Sequence, residues 1–346
     1  MTTAGQATTA GQSSAKATSP VAALAYWTVP PGTGQLRGER LEPPREGEAL
    51  VRTLFSGVSR GTESLIHAGA VPSAVRAAMR APFQAGDLPG PVKYGYLSVG
   101  LVEAGPPELV GRRVFCLYPH QDRYVVPVQA LTLVPDAVPA DRAVLTGTVE
   151  TAVNAVWDGA PRLGDRVAVV GAGMVGCALA AVLRTFPLQR LELIDVDGAR
   201  ERVARRLGVA FAEPREAAGD CDLVFHCSAT AGGLNRGLEL LGEEGELIEL
   251  SWYGDAVVAA ALGAAFHAGR LTVRASQVGA VAAARRARRT HQDRRALAAG
   301  LLRDPAFDAL ITSRGPFREL PETMRRLAAG ELVGLCHVVE YPVVEV

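Results

Sequence analysis

The chain has 346 residues, with 36 Lys and Arg against 36 Asp and Glu and a hydrophobic share of 48%. That length suits two ordinary domains, and that composition excludes wholesale disorder. The charge balance removes the field that holds a protein on nucleic acid or an anionic membrane, and no apolar run reaches the ~18 residues of a spanning helix.

Residues 1–20 carry Thr, Ala, Gly, Ser and Gln with a single charge, Lys16, and read as a disordered tail. The tail lacks the apolar stretch of a signal peptide. Short strand-like runs follow, among them Ala22–Val29, Ala49–Phe55, Ser98–Val102, Arg113–Leu117 and Tyr124–Val128, separated by turns such as Pro30-Pro31-Gly32. They predict a β-rich domain over 21–147. The period then lengthens. Strands are expected at Arg166–Val170, Leu191–Asp195, Asp222–His226 and Glu246–Leu250, with helices at Met174–Thr185, Ala199–Leu207 and Leu234–Leu241 between them. This alternation predicts an α/β doubly wound parallel sheet over 148–279. From 280 the chain reads as an Arg-rich helix over Arg285–Leu302, a strand at Ala309–Thr312, a helix at Pro321–Ala329 and a strand at Leu335–Glu340, returning to the first domain.

The strongest local signal is Val167-Ala-Val-Val-Gly171-Ala-Gly173-Met174-Val175-Gly176, a strand running through G-x-G-x-x-G into a helix. Gly171 permits the tight turn, Gly173 leaves room for a pyrophosphate, and Gly176 lets helix and strand pack closely. The next strand ends in Asp195, where a carboxylate can accept hydrogen bonds from an adenosine ribose and repel a 2′-phosphate. The expected cofactor is therefore NAD(H). Arg200 stands at the start of the following helix, on the adenosine side or in solvent. Cys227, Ser228 and Ser251 end later strands and are expected to line the cofactor through their backbone, whereas His226 and Tyr253 read as structural.

The five cysteines, Cys116, Cys177, Cys221, Cys227 and Cys336, are odd in number and none is paired in C-x-x-C spacing. Reduced, buried thiols of a cytoplasmic protein are expected.

Four stretches resemble the medium-chain dehydrogenase/reductase family. They are Ser56-Gly-Val-Ser-Arg-Gly-Thr-Glu63, Lys93-Tyr-Gly-Tyr-Leu-Ser-Val-Gly100, Thr148-Val-Glu-Thr-Ala-Val-Asn-Ala155 and the glycine loop. The first is similar to the loop of the bacteriochlorophyllide dehydrogenase branch. The resemblance implies a GroES-like catalytic domain, a Rossmann domain, a homodimer and an oxidoreductase. Zinc members hold the metal at positions that here carry Ser59 or Arg60, Tyr96 and Thr148, with Glu150 two residues on; no catalytic or structural zinc is therefore expected.

Without a metal, side chains must handle the proton and the developing oxyanion. Tyr96 could donate to the substrate oxygen and Glu150 could orient that phenol or act as base. Thr62 matches the family's relay hydroxyl, and His120 is an imidazole on a loop expected over the cleft. Lys93 is open between a substrate acid, Glu63 and solvent. The run Arg285–Arg295 has six Arg and is open between ligand phosphates and a solvated helix start. The expected activity interconverts a secondary alcohol and a carbonyl on a small polar molecule of secondary metabolism. Alternatives are a quinone or enoyl reductase acting on C=C, and a silent NAD(H)-binding module.

Overall fold

The computed structural model describes residues 19–29, 32–263 and 265–342. Residues 1–18, most of the stretch expected to be disordered, lie outside that description.

Six parallel strands form the nucleotide sheet, in the order Ala210–Ala212, Arg190–Ile194, Arg166–Val170, Cys221–His226, Leu241–Glu249 and Thr272–Ala275. Val167, Ala168 and Val169 are fully buried, which is why this strand is an unbroken apolar run rather than an alternating one. Strand order reverses between Arg166–Val170 and Cys221–His226. In a doubly wound sheet the ligand crevice opens at the carboxyl ends of such a pair, here at Val170, Gly171 and Cys227.

The second body is antiparallel in its main part. Glu48–Ser59 is its axis and pairs with Ser98–Ala104, Arg123–Pro127 and the returning strand Cys336–Glu340. A four-stranded sheet adds the hairpin Val21–Val29 and Thr33–Leu41 with two short strands. The strand Thr33–Leu41 was not expected, since only Leu36 and Leu41 in it are apolar.

The helix Thr146–Gly159 joins the two bodies and is buried over most of its length. It packs on the helix Met174–Leu183 and on the helix His291–Leu301. Gly159 permits a close approach to the nucleotide sheet, because a Cβ there would lie 2.7 Å from the Phe225 ring. The Arg-rich helix starts at His291 and not at Arg285. Thr290 caps it, its hydroxyl accepting from the Asp293 amide at 3.1 Å while Asp293 accepts from the Thr290 amide at 2.9 Å. Such a capping box satisfies two amides that a longer helix would have to cover elsewhere.

Candidate functional site

The glycine loop is shaped by close contacts. Gly171 has φ +106°, and a Cβ on it would meet the Ser228 amide nitrogen at 2.7 Å. A Cβ on Gly176 would overlap the Gly171 carbonyl oxygen, so this position holds the helix against the turn. Gly173 is the opposite case. It is the N-cap of the helix Met174–Leu183, and nothing lies within 4 Å of where its Cβ would be. That open space belongs to a cavity of about 510 Å³ lined in part by Gly171, Gly173, Asp195, Arg200, Cys227 and Ser228. Met174 and Val175 form the first turn of the helix and are half-buried. The amide end of a helix facing a cavity favours a phosphate there.

Asp195 follows the strand Arg190–Ile194 and is half-buried. Its carboxylate accepts from the Ala172 amide at 2.6 Å and the Asp197 amide at 2.9 Å. The acid is thus fastened to the glycine loop and keeps lone pairs for a ribose. Arg200 lines the same cavity with its Nε 3.2 Å from Asp197. The cavity is thus lined by two carboxylates, Asp195 and Asp197, and two guanidiniums, Arg200 and Arg236. An NAD fits this cradle: open space at the helix amides for the pyrophosphate and a fixed acid where the ribose hydroxyls fall.

Beyond the cavity, His226 is fully buried. Its Nδ1 lies 2.8 Å from Glu249 and its Nε2 2.6 Å from the Ser228 hydroxyl. The Tyr253 hydroxyl donates to Glu249 at 3.0 Å, and the Ser251 hydroxyl accepts from the Ala229 amide at 3.0 Å. Burial pushes the Glu249 carboxyl up, but the His226 hydrogen bond and charge, with donors from Ser251, hold it below the usual carboxylate range. A Cβ on Gly233 would strike the Ser228 hydroxyl, so Ser228 points into the fold under the helix Ala231–Leu240. These side chains brace the strand ends.

In the antiparallel body, Tyr96 is half-buried with its ring edge-on to Tyr94 at 6.0 Å. Burial, then the Glu63 charge, push its phenol up to about 12, against hydrogen bonds to Ser59 and Thr62 that lower it. Thr62 lies in the helix Arg60–His67, whose Ile66 belongs to the cluster that Tyr96 packs on. Tyr96 packs on an apolar cluster that includes Ile66, Val71 and Leu88. Trp252, just past the strand Leu241–Glu249, packs on the same cluster from the other body. Trp252 therefore stands where the nucleotide sheet meets Tyr96, a placement its neighbours in sequence did not signal.

His120 is 1% exposed. Its Nε2 lies 2.8 Å from Glu63 and its Nδ1 2.7 Å from the Ser56 hydroxyl. The imidazole expected on a loop over the cleft is inside the fold. Gly95 makes room for it at φ +128°, where a Cβ would meet the ring at 2.8 Å.

Comparison with known proteins gives a fold more than a relative. No family model matches the chain. A D-xylulose reductase from Scheffersomyces stipitis is 33% identical over 84 residues, 24% of this chain and only 23% of that protein. L-idonate 5-dehydrogenase from Escherichia coli superposes with TM-score 0.77 at 14% identity, covering 93% of this chain and 99% of the other. The NADH complex of a protein described as a short chain alcohol dehydrogenase from Escherichia coli CFT073 superposes with TM-score 0.71 at 15% identity, over 92% and 99%. The chain has the medium-chain dehydrogenase fold.

Among the described residues, no three His, Cys, Asp or Glu side chains are grouped to hold a metal ion. A catalytic zinc needs about three such ligands, and Ser59, Arg60, Tyr96 and Thr148 supply none. The five thiols are free, and all but Cys227 are buried.

The readings of Glu150, Arg294 and Lys93 are corrected. Glu150 does not orient Tyr96. It is 2% exposed and takes Arg294 Nε at 3.1 Å. Arg294, itself 1% exposed, also donates to Asn154, to the Ala280 carbonyl at 3.1 Å and to the Val278 carbonyl at 2.5 Å. An isolated buried guanidinium is very unfavourable, and Glu150 is its counter-charge. Arg294 is thus a staple rather than a ligand contact, while Arg285, Arg286, Arg288 and Arg289 lie on exposed turns. Lys93 is buried rather than solvated, and its partner is not Glu63. It is 6% exposed and donates to Glu39 and Gln121, both at 2.7 Å.

Proposed function

We propose that the protein is an NAD(H)-dependent oxidoreductase that interconverts a secondary alcohol and a carbonyl on a small molecule without zinc. The observation that carries this reading is the cradle: the 510 Å³ cavity joins the open face of Gly173 to Asp195 at the switch point of the parallel sheet. When bound, NADH would supply a hydride from its nicotinamide.

The chain's residues supply the rest. Gly173 and the first amides of the helix Met174–Leu183 take the pyrophosphate. Asp195 accepts from the ribose hydroxyls and disfavours a 2′-phosphate. Tyr96, in place of a metal ligand, donates its proton to the substrate oxygen, a role worth roughly 10²- to 10⁴-fold in rate. Ser59 and Thr62 counter the burial that raises the phenol's pKa. Glu150 has no part in the chemistry. The reading includes a cytoplasmic homodimer, which sedimentation would check.

The decisive experiment is NADH binding by fluorescence, followed by NADH consumption against a panel of ketones and aldehydes with and without a chelator. Binding with turnover that survives chelation supports the reading. Stoichiometric zinc in active protein removes the metal-free part. Tight NADH binding with no turnover on any carbonyl or enone favours a binding module instead.

A further inference from the structure

The elements beside Tyr96 spend their polar side chains on one another. Glu63 Oε1 accepts from the Ser59 amide at 2.8 Å, and Glu63 Oε2 lies 2.8 Å from His120 Nε2. His120 Nδ1 lies 2.7 Å from the Ser56 hydroxyl, which lies 3.0 Å from the Tyr341 hydroxyl. His67 is buried with its Nδ1 3.4 Å from the Tyr26 hydroxyl, and Lys93 is held by Glu39 and Gln121. A site that recognises a substrate hydroxyl or carboxylate needs unspent donors and acceptors facing it. On the helix Arg60–His67 the charged group outside these contacts is Arg60, exposed at the first position. An ion pair formed there in water is worth little.

The surface that meets Tyr96 is apolar. The connection 68–91 joins that helix to the strand Val92–Lys93 and holds only a short turn at Ser73–Val75 and a two-residue strand at Ala85–Gly86. A connection so long and irregular inside a compact body mostly serves a ligand. This one turns Val71 and Leu88 inward, to 2% and 8% exposure, against Ile66. Val75, Ala81, Tyr96 and Trp252 stand half-buried on that floor.

Trp252 comes from the nucleotide side, just past the carboxyl end of the strand Leu241–Glu249, where the sheet meets its ligand. Both its neighbours are tied down. The Ser251 amide donates to Glu249 at 2.7 Å, the Ser251 hydroxyl accepts from the Ala229 amide at 3.0 Å, and the Tyr253 hydroxyl donates to Glu249 at 3.0 Å. A braced turn therefore presents the indole to the Tyr96 floor.

Resting on the oxidoreductase reading above, we propose that the substrate is an uncharged ketone carrying an aromatic or aliphatic group, and that Trp252 is the residue that selects it. The ketone oxygen meets the Tyr96 hydroxyl, and the apolar group lies on the rim formed by Trp252, Val75 and Ala81. Such a surface gains from each apolar carbon it covers. A polyol laid on it would lose water from its hydroxyls without a replacing hydrogen bond. The small polar molecule expected from the sequence is the class this wall disfavours. A single methylene in an apolar pocket changes kcat/KM about 10- to 200-fold, so a phenyl group in place of hydroxylated carbons should give about tenfold or more.

The test compares acetophenone, erythrulose and benzoylformate as substrates with NADH, for wild type, Trp252→Ala and Trp252→Phe. Acetophenone should exceed the other two in kcat/KM by about tenfold or more. That ratio should fall about tenfold in Trp252→Ala and stay within about threefold in Trp252→Phe, which keeps an aromatic face. A preference for erythrulose, or for benzoylformate through Arg60, would overturn the proposal, as would an unchanged ratio in Trp252→Ala. If Trp252→Ala does not fold, Val75→Ser decides: it should lower the ratio about threefold or more, and an unmoved ratio overturns the proposal. Acetophenone binding to the NAD⁺ complex, which cannot reduce it, is read in parallel by saturation-transfer NMR. Binding that depends on Trp252 in a protein that reduces no ketone defeats the oxidoreductase reading and leaves the apolar site standing. Absence of acetophenone binding defeats the proposal even where another carbonyl is reduced.

Discussion

Two alanine substitutions three residues apart should separate fold from cofactor. At Gly176 an added Cβ falls well inside the 3.0 Å that real Cβ contacts keep, against the backbone oxygen of Gly171. A carbonyl in a tight turn cannot swing aside like a side-chain tip, so the helix must retreat. Overpacking of this kind costs about 1–3 kcal/mol, a fall in Tm of roughly 2–10 °C for a domain this size. At Gly173 no atom lies within 4 Å, and φ is −76°, which alanine adopts freely. The entropy gained by replacing glycine, about 0.4–1 kcal/mol, is offset by the poorer N-cap, so Tm should move by no more than about 2 °C. The new methyl does enter the cavity in front of the helix amides. Losing a charge-assisted hydrogen bond of about 1.5–3 kcal/mol weakens NADH roughly ten- to hundredfold. Fluorescence titration and calorimetry read the two effects. Gly173→Ala that binds NADH within twofold of wild type would refute the cradle.

Asp195→Ala should weaken NADH about tenfold more than NADPH, since the carboxylate helps one and opposes the other; an unchanged ratio in competition titrations removes the argument for NAD. Tyr96→Phe should lower kcat for reduction about 10²-fold or more with NADH affinity intact, and a fall below threefold in steady-state assays moves the donor elsewhere. His337 predicts a pH dependence of stability. Its folded pKa is depressed from 6.5 to about 4, chiefly by burial, so its contribution is present above 6.5 and lost as pH falls toward 4. That amounts to about 3 kcal/mol at most. Urea unfolding from pH 7 to 4 should therefore be steeper for wild type than for His337→Gln, and parallel curves would show that His337 does not titrate in that window.

What was legible in the sequence was local. Arg166–Val170 is apolar, bounded by turn residues and followed by glycines at fixed offsets, and the strand stands where that pattern put it. The doubly wound sheet follows from repeating that pattern. Thr33–Leu41 was not legible because its evidence is its partner: Val21↔Leu41 through Val29↔Thr33 pairs a polar ribbon with an apolar strand. The polar contacts were hidden for the same reason at longer range. Glu63 and His120 are 57 residues apart, Ser56 and Tyr341 285 apart, and Lys93 and Glu39 54 apart. Nothing at position 150 announces an arginine 144 residues later. A buried carboxylate near an expected ligand position therefore read as chemistry when it was a counter-charge.

One helix fixes both halves of the site. Thr146–Gly159 packs on the glycine-loop helix along one side, and near its start Gly147 faces the antiparallel body. A Cβ at Gly147 would lie 2.6 Å from Leu97, the residue next to Tyr96, and 3.4 Å from Phe115. Arg294 pins the same helix from behind through Glu150 and Asn154. Gly147→Ala should therefore push Leu97, and Tyr96 with it, away from the cradle without touching the cradle itself. A displacement of about 1 Å between reacting groups can lower a rate roughly 10²-fold, so kcat should fall while NADH affinity holds. Leu97 ends in a flexible isobutyl group, and if that end alone yields, kcat is unchanged and the separation of donor and cofactor is not set by this contact. A loss of NADH binding equal to the loss of kcat would instead mean that the helix moves as a whole.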